Sequence, residues 1–478
     1  YVSTNGNNSL DGLSRATAWR SIQHAADKVC PGDTVMIGGG TNTGTFYFRV
    51  TGEKDRPITF RGAPGEKAVI DGIRESLKNG LVLYGKHHYN FDSLYIHAYA
   101  GGDGSGALLI NGGSNIKVTR CHFGWGWGTG LAAAGCRNML VKNCVFTHGM
   151  GLASIAMCPE LKVENNVFIA ALISLLSLGN TTDQPARIAN NIFGENTRGK
   201  QQICFAGWPI HTVESNNCFY LRWPETERMI VNYLTMPEYR VAKGTDSFVA
   251  NPQMPGAKGF RQGWQGVEVS DFPPLFASNP ELVRRGIGLQ PEVFNDCHFK
   301  VTNWVYDVAW AEDVLAKKKA AFDLVAAGKD ADAIIALTNM ALMPMHGLLK
   351  SELLEQAAYC ANRLKQYDRA IAIATNIPLN PLSVRCQMKI MAENGKYGEI
   401  IGRFSQKAMG ADPLLNWFCP DLEDLLVDAY SYRSIAYSES NDFKSAEADL
   451  MHMINQQKNL GYDNGVEIRE LAWLKLGN

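Results

Sequence analysis

Five segments of this 478-residue chain close in the same few letters. They are Asn115-Ile-Lys-Val-Thr-Arg-Cys-His-Phe123, Asn138-Met-Leu-Val-Lys-Asn-Cys-Val-Phe146, Glu160-Leu-Lys-Val-Glu-Asn-Asn-Val-Phe168, Ala186-Arg-Ile-Ala-Asn-Asn-Ile-Phe193 and His211-Thr-Val-Glu-Ser-Asn-Asn-Cys-Phe219. The closing phenylalanines are 23, 22, 25 and 26 residues apart, a period that marks a stack of supersecondary units, each burying its apolar face on the next. Within each segment apolar and polar residues alternate as in a strand, and Gly or Asn punctuates the joins. One coil per repeat gives a right-handed parallel β-helix.

Equivalent side chains of successive coils then stack at about 4.8 Å. Two places before each phenylalanine stand Cys121, Cys144, Asn166, Asn191 and Asn217, small residues suited to a turn; ten places before stand Gly113, Cys136, Cys158, Asp183 and Pro209. Stacked cysteines point the same way, which disfavours closing a disulfide, so reduced stacking is expected. Eleven cysteines with no Cys-x-x-Cys spacing leave the compartment undecided. A formal charge of −1 gives no general attraction to nucleic acid, and no apolar run reaches the 18 or more residues of a membrane helix.

Ahead of the coils, Trp19, Ile22, Ala26 and Val29 recur at helical spacing over residues 17–29, predicting a helix that covers the open edge of the first coil. Here Tyr1-Val-Ser-Thr-Asn-Gly6, Ala16-Thr-Ala-Trp-Arg-Ser-Ile-Gln-His-Ala25, Pro31-Gly-Asp-Thr-Val35 and Pro57-Ile-Thr-Phe-Arg-Gly62 through Val69-Ile-Asp-Gly72 resemble the opening of the bacterial pectate-lyase-like β-helix superfamily. Residues 236–252 are similar to the closing segment of many exported members, so the resemblance covers about 1–295. It implies a secreted, periplasmic or cell-surface protein acting on a polysaccharide, as a lyase or a glycoside hydrolase. The abrupt start at Tyr1 suits a mature exported chain or a trimmed one equally.

Beyond residues 296–309, read as a linker, composition turns to Ala, Leu, Lys and Glu. Residues 357–372 and 429–448 each read as two helices joined by a polar turn and resemble tetratricopeptide repeats, so 310–478 is expected to be a short α-helical repeat domain that packs on a neighbour, binds a protein partner or self-associates.

A uronate lyase needs a base and something to neutralise a carboxylate; a hydrolase needs two carboxylates roughly 5 to 10 Å apart. In the alginate-lyase-like branch these groups lie on the strand before the Asn-rich one. The matching stretches here, 107–111, 130–135, 152–157, 173–178 and 203–207, contain no charged residue and no histidine. They are apolar on both faces, so something is expected to cover them: the C-terminal helices or a second copy. Two places after the phenylalanines come Trp125, His148, Ala170 and Glu195. His148 and Glu195 are therefore the candidate acid or base groups, with Trp125, Trp127, Arg198 and Lys200 as candidate sugar contacts. The bland alternative is that these are ordinary turn residues and a solvated loop.

Residues 86–88, Asp92 and His97 form a second polar cluster without ligand spacing, and Asp103 sits alone in a glycine loop. Ca²⁺ suits such chemistry, but no ligand set can be assigned. Lys117, Leu140 and Lys162 share one column and Arg120, Asn143 and Asn165 another; neither is continuously basic. A non-catalytic carbohydrate-binding scaffold and a subunit of a larger extracellular assembly stand as the alternatives to an enzyme.

Overall fold

The computed structural model describes residues 1–72, 76–101, 104–126, 128–179, 184–194, 201–206, 212–220, 241–242, 246–254, 275–298, 307–345, 347–378, 380–404 and 421–459. Two units emerge, one comprising 1–254, 262–277 and 281–307 and the other chiefly 308–478.

The first unit is the parallel solenoid. One nine-stranded sheet stacks Thr34–Ile37, Ile58–Gly62, His87–Asp92, Ser114–Thr119, Arg137–Lys142, Lys162–Glu164, Ala186–Ala189, Thr212–Ser215 and Val241–Ala242. The second sheet has two arms joined through the long strand Val145–Ala156. One arm includes Ala68–Asp71, Tyr95–His97 and His122–Gly126; the other includes Phe46–Phe48, Leu81–Tyr84, Gly106–Asn111 and Thr129–Ala134.

Between the first sheet and the first arm each coil turns in two residues. The leading residue is left-handed at Ser93, Arg120, Asn143, Asn165, Asn190 and Asn216, with φ between 50° and 59°. Asparagine tolerates that region better than most side chains, which is why the repeats carry it there. The second residue points inward and is fully buried at Cys121, Cys144, Asn166, Asn191 and Asn217. Buried amides must be paired, and these pair with one another. Asn166 Nδ2 donates to Asn191 Oδ1 at 3.0 Å, Asn191 Nδ2 to Asn217 Oδ1 at 3.0 Å, and each Nδ2 also reaches a carbonyl of the preceding coil, Val141 O at 3.0 Å and Val163 O at 2.8 Å. The cysteine end of the ladder is free thiol, and Cys136 and Cys158 are likewise stacked and unbridged, with Cys136 N donating to Cys158 Sγ at 3.3 Å.

The five closing phenylalanines form one interior stack, with ring centroids 4.8, 4.7, 5.2 and 5.3 Å apart from Phe123 to Phe219. Each offset pair adds about 0.5–1.5 kcal/mol beyond simple burial.

The N-terminal helix is shorter than its apolar spacing predicts. It spans Ile22–Lys28 behind an N-cap at Ser21. Residues at 17–19 are drawn away from it because Trp19 pairs in extended form with Val2, Trp19 N donating to Tyr1 O at 2.9 Å. Gln23 substitutes for a missing strand: its Nε2 donates to Tyr47 O at 3.0 Å and its Oε1 accepts from Tyr47 N at 2.8 Å, satisfying the edge of Phe46–Phe48.

A segment the repeat pattern did not announce, residues 282–298, runs along the left-handed turns as a strap. Arg285 O accepts from Asn216 Nδ2 at 3.2 Å, Gly286 O and Gly288 O from Asn165 Nδ2 at 2.7 and 3.1 Å, and Asn143 Oδ1 accepts from Gln290 N at 3.1 Å. Farther along, the Arg120 guanidinium donates to Asp296 Oδ1 at 2.6 Å and to Val293 O at 2.6 Å while forking onto Asp92, and Arg61 joins Asp296 at 2.5 Å. The strap therefore reaches Asp296 and Cys297, two residues into the stretch read as linker.

The outer face of the second arm is covered in one part and open in another. Val82, Leu109 and Ala132 form a small buried cluster of their own, whereas Asn111, Ser154 and Tyr84 are exposed.

The second unit contains four helical hairpins among the described residues. They are Val308–Ala326 with Asp330–Ala341, Gly347–Arg363 with Tyr367–Thr375, Asn380–Glu393 with Tyr397–Arg403, and Asp421–Glu439 with Phe443–Asn459. Each turn holds one left-handed residue, Gly328, Lys365, Gly395 or Asn441. No helix among the described residues is long and apolar enough to cross a membrane.

Candidate functional site

Alternation along the strands of the first arm puts the phenylalanine column inside and its neighbours outside. Register then brings together residues that are far apart in sequence. Tyr95 pairs with His122 and Val145 in one outer column; Asp71 pairs with His97, Gly124 and Thr147 in the next. The result is a wall of rings: His97 and His122 centroids lie 5.0 Å apart, Tyr95 lies 5.7 Å from His122 and 6.0 Å from His97, and Lys67 Nζ stands 5.1 Å from the centre of the Tyr95 ring.

His148 borders this wall. Its backbone is left-handed, with φ of 52°, and its Nδ1 lies 2.6 Å from Thr147 Oγ1. Gly124 pairs with Thr147 and Gly126 with Gly149, so the backbone of Trp125 runs beside that of His148 one coil away. The expected neighbourhood of Trp125 and His148 is thus a feature of the strand register, while Glu195, Trp127, Arg198 and Lys200 lie outside the described residues, as does Asp103.

Burial sets the charge state of the wall. Desolvation first, then Lys67, drives His97 down to about 3, and desolvation with His97 drives His148 down to about 3. His122, only 2% exposed, is held well below the ordinary imidazole range by burial and then by His97, Lys67 and His148. All three rings are therefore neutral near pH 7 and able to accept a proton. His97 Nε2 is buried with no hydrogen-bond partner among the described residues.

His148 also lines a shallow recess, together with Tyr99, Phe123, Thr129, Thr147 and Leu152 and the backbones of intervening glycines, whose enclosed part of about 10 Å³ has room for about one water. It is an open dip, not an enclosed ligand site of the roughly 300–1,000 Å³ kind. The glycines have a packing reason. A Cβ on Gly128 would lie 2.1 Å from Gly101 O and one on Gly126 2.5 Å from Tyr99 O, so the coils approach too closely there for any side chain. Among its described residues the recess lining contains no carboxylate.

The second polar cluster expected from sequence does not assemble. Asp92 is taken by Arg120, His87 Nδ1 lies 2.9 Å from Ser114 Oγ on the first sheet, and His97 joins the wall across the turn. Grouping by nearness in sequence fails because the left-handed Ser93 separates the two sheets. The signal that could have found the wall is the column: His97 is one step past the phenylalanine position of its coil, and His122 one step before. Among the described residues no group of three His, Cys, Asp or Glu side chains is placed to hold a metal ion.

Residues 72–219 match the family described as the right handed beta helix region. The uncharacterised protein YwoF of Bacillus subtilis (strain 168) is 39% identical over 79 residues, a match that takes in 16% of this chain and 16% of that relative's length. Among solved structures, a rhamnogalacturonan lyase is similar at 14% identity and a TM-score of 0.37, over 46% of this chain and 68% of that one. The pectate lyase Pel9A is similar at 17% identity and a TM-score of 0.28, over 45% and 77%.

Proposed function

We propose that this chain is an exported protein acting on a polysaccharide by β-elimination, with the imidazole of His148 as the base beside a shallow recess. The observation that carries the reading is the neutral, half-buried ring of His148, held by Thr147, at the edge of a recess with no carboxylate among the described residues of its lining. A hydrolase needs a carboxylate pair, which the described residues of this lining do not supply. At a pKa of about 3 the ring is a weak base in the empty protein, and an acidic sugar brought against it would strengthen it by favouring the charged form. Glu195 is the second proposed acid or base group, and Trp125, Trp127, Arg198 and Lys200 are the proposed sugar contacts. The polysaccharide lyase and pectate lyase likenesses agree with the reading without carrying it.

The test is a panel of acidic and neutral polysaccharides, with and without Ca²⁺, followed in parallel by ultraviolet absorbance of unsaturated products and by reducing ends. Absorbance that grows with the wild-type chain and disappears in His148→Gln is the expected result. Reducing ends without absorbance would overturn elimination in favour of hydrolysis. Silence across the panel, with binding retained, would favour the second reading, a non-catalytic carbohydrate scaffold, to which the uncharged outer columns of the second arm point. For the helical unit we propose tetratricopeptide-like hairpins that meet a protein partner or a second copy, tested by mass in solution.

A further inference from the structure

We propose that the wall of Lys67, Tyr95, His97, His122 and His148 is an acid-sensitive latch on the outer face of the second sheet. It packs shut while its rings are uncharged, and it opens when they take up protons. The geometry gives the reason. Two imidazoles 5.0 Å apart and a tyrosine within 6.0 Å of both leave no room for water between the rings, and a lysine already stands over the tyrosine. A first added proton meets Lys67, and a second meets both Lys67 and the first.

Among the described residues, the groups facing the rings come from four successive coils. The stretch Lys67–Asp71 supplies Lys67 and Asp71, Tyr95–His97 supplies Tyr95 beside His97, His122–Gly126 supplies His122, and Val145–Ala156 supplies Thr147 and His148. Asp71, in register with His97, offers one negative charge against Lys67 and up to three protonated rings. The balance turns repulsive once more than one ring is charged. Burial already opposes each protonation, as the low values at His97 and His148 record. A ring released to its ordinary pKa of about 6.5 favours the open form about tenfold for each pH unit below that value, hence roughly thirtyfold per ring at pH 5.

Hydrogen exchange of the full chain at pH 7.5 and pH 5, corrected for the intrinsic rates, tests this without reference to turnover, so the latch stands or falls separately from the proposed elimination. Protection in Tyr95–His97 and His122–Gly126 is expected to fall by thirtyfold or more at pH 5, with Ser114–Thr119 and Arg137–Lys142 little changed. A uniform change over both sheets, or none, would overturn the latch. Lys67→Met should move the opening to lower pH by removing the nearest cation, and an unmoved midpoint would equally refute it. Lys67 is partly exposed, so this variant is expected to fold even where His122→Gln does not.

Discussion

Replacing Asn191 with alanine should cost this protein far more than replacing Asn190, its neighbour in sequence. Asn191 is fully buried, and its amide donates to Val163 O, Ala189 O and Asn217 Oδ1 while accepting from both the backbone and the side chain of Asn166. Truncation leaves the Asn166 backbone N–H with no acceptor in a water-free interior, about 1–3 kcal/mol, and removes ordinary bonds worth about 1 kcal/mol each. The expected cost is about 3–5 kcal/mol. At Asn190 an alanine meets the left-handed backbone, worth about 1–2 kcal/mol, and loses only the part-buried contact from Asn216 Nδ2. Because the chain has two units, native-state exchange of residues 162–217 is a better assay than a single melting curve. The reasoning fails if Asn190→Ala weakens protection as much as Asn191→Ala, or if either effect stays confined to its own coil's turn.

Arg120→Ala should cost about 1.5–3 kcal/mol, because it removes the fork on the largely buried Asp92 and leaves that carboxylate to Arg61 and Thr119. It should also free residues 282–298 to limited proteolysis, whereas equal cutting of both proteins would mean the strap is held elsewhere. Glu214 occupies the interior column continued by Val141, Val163 and Ile188, and desolvation raises its pKa although Ser247 and Asn217 donate to it. The unfolded chain gives up that proton at a lower pH than the folded one, so stability from this group is present at low pH and declines as pH climbs from about 4.5 through the raised value. Glu214→Gln should flatten that decline, and exchange of Thr212–Ser215 against pH would show an unchanged slope if the account is wrong.

Much of the first unit could be read from letters alone because stacking repeats the same local problem in each coil. The inward column Cys121, Cys144, Asn166, Asn191, Asn217 and the phenylalanine stack follow from counting back from one landmark. The histidine wall did not follow, because His97 and His122 lie at different steps from that landmark and meet only on the diagonal between adjacent strands. The strap was invisible for another reason. Its carbonyls and amides do the bonding, and a backbone partner leaves no residue type to recognise. The helix at Ile22–Lys28 is shorter than its apolar spacing, since periodicity cannot see that Val2 competes for Trp19.

Solenoids are usually free to gain or lose a coil, since each repeat answers only to its neighbours. The strap removes that freedom here. Between Arg285 and Asp296 it meets the turns of successive coils at Asn216, Asn190, Asn165, Asn143 and Arg120, each contact fixed to one rung. A duplicated or deleted coil inside that span would leave the segment about 4.8 Å too short or too long and set its partners against the wrong turns. In this chain 282–298 acts as a measuring tape for evolution, admitting substitutions within a coil while forbidding a change in their number.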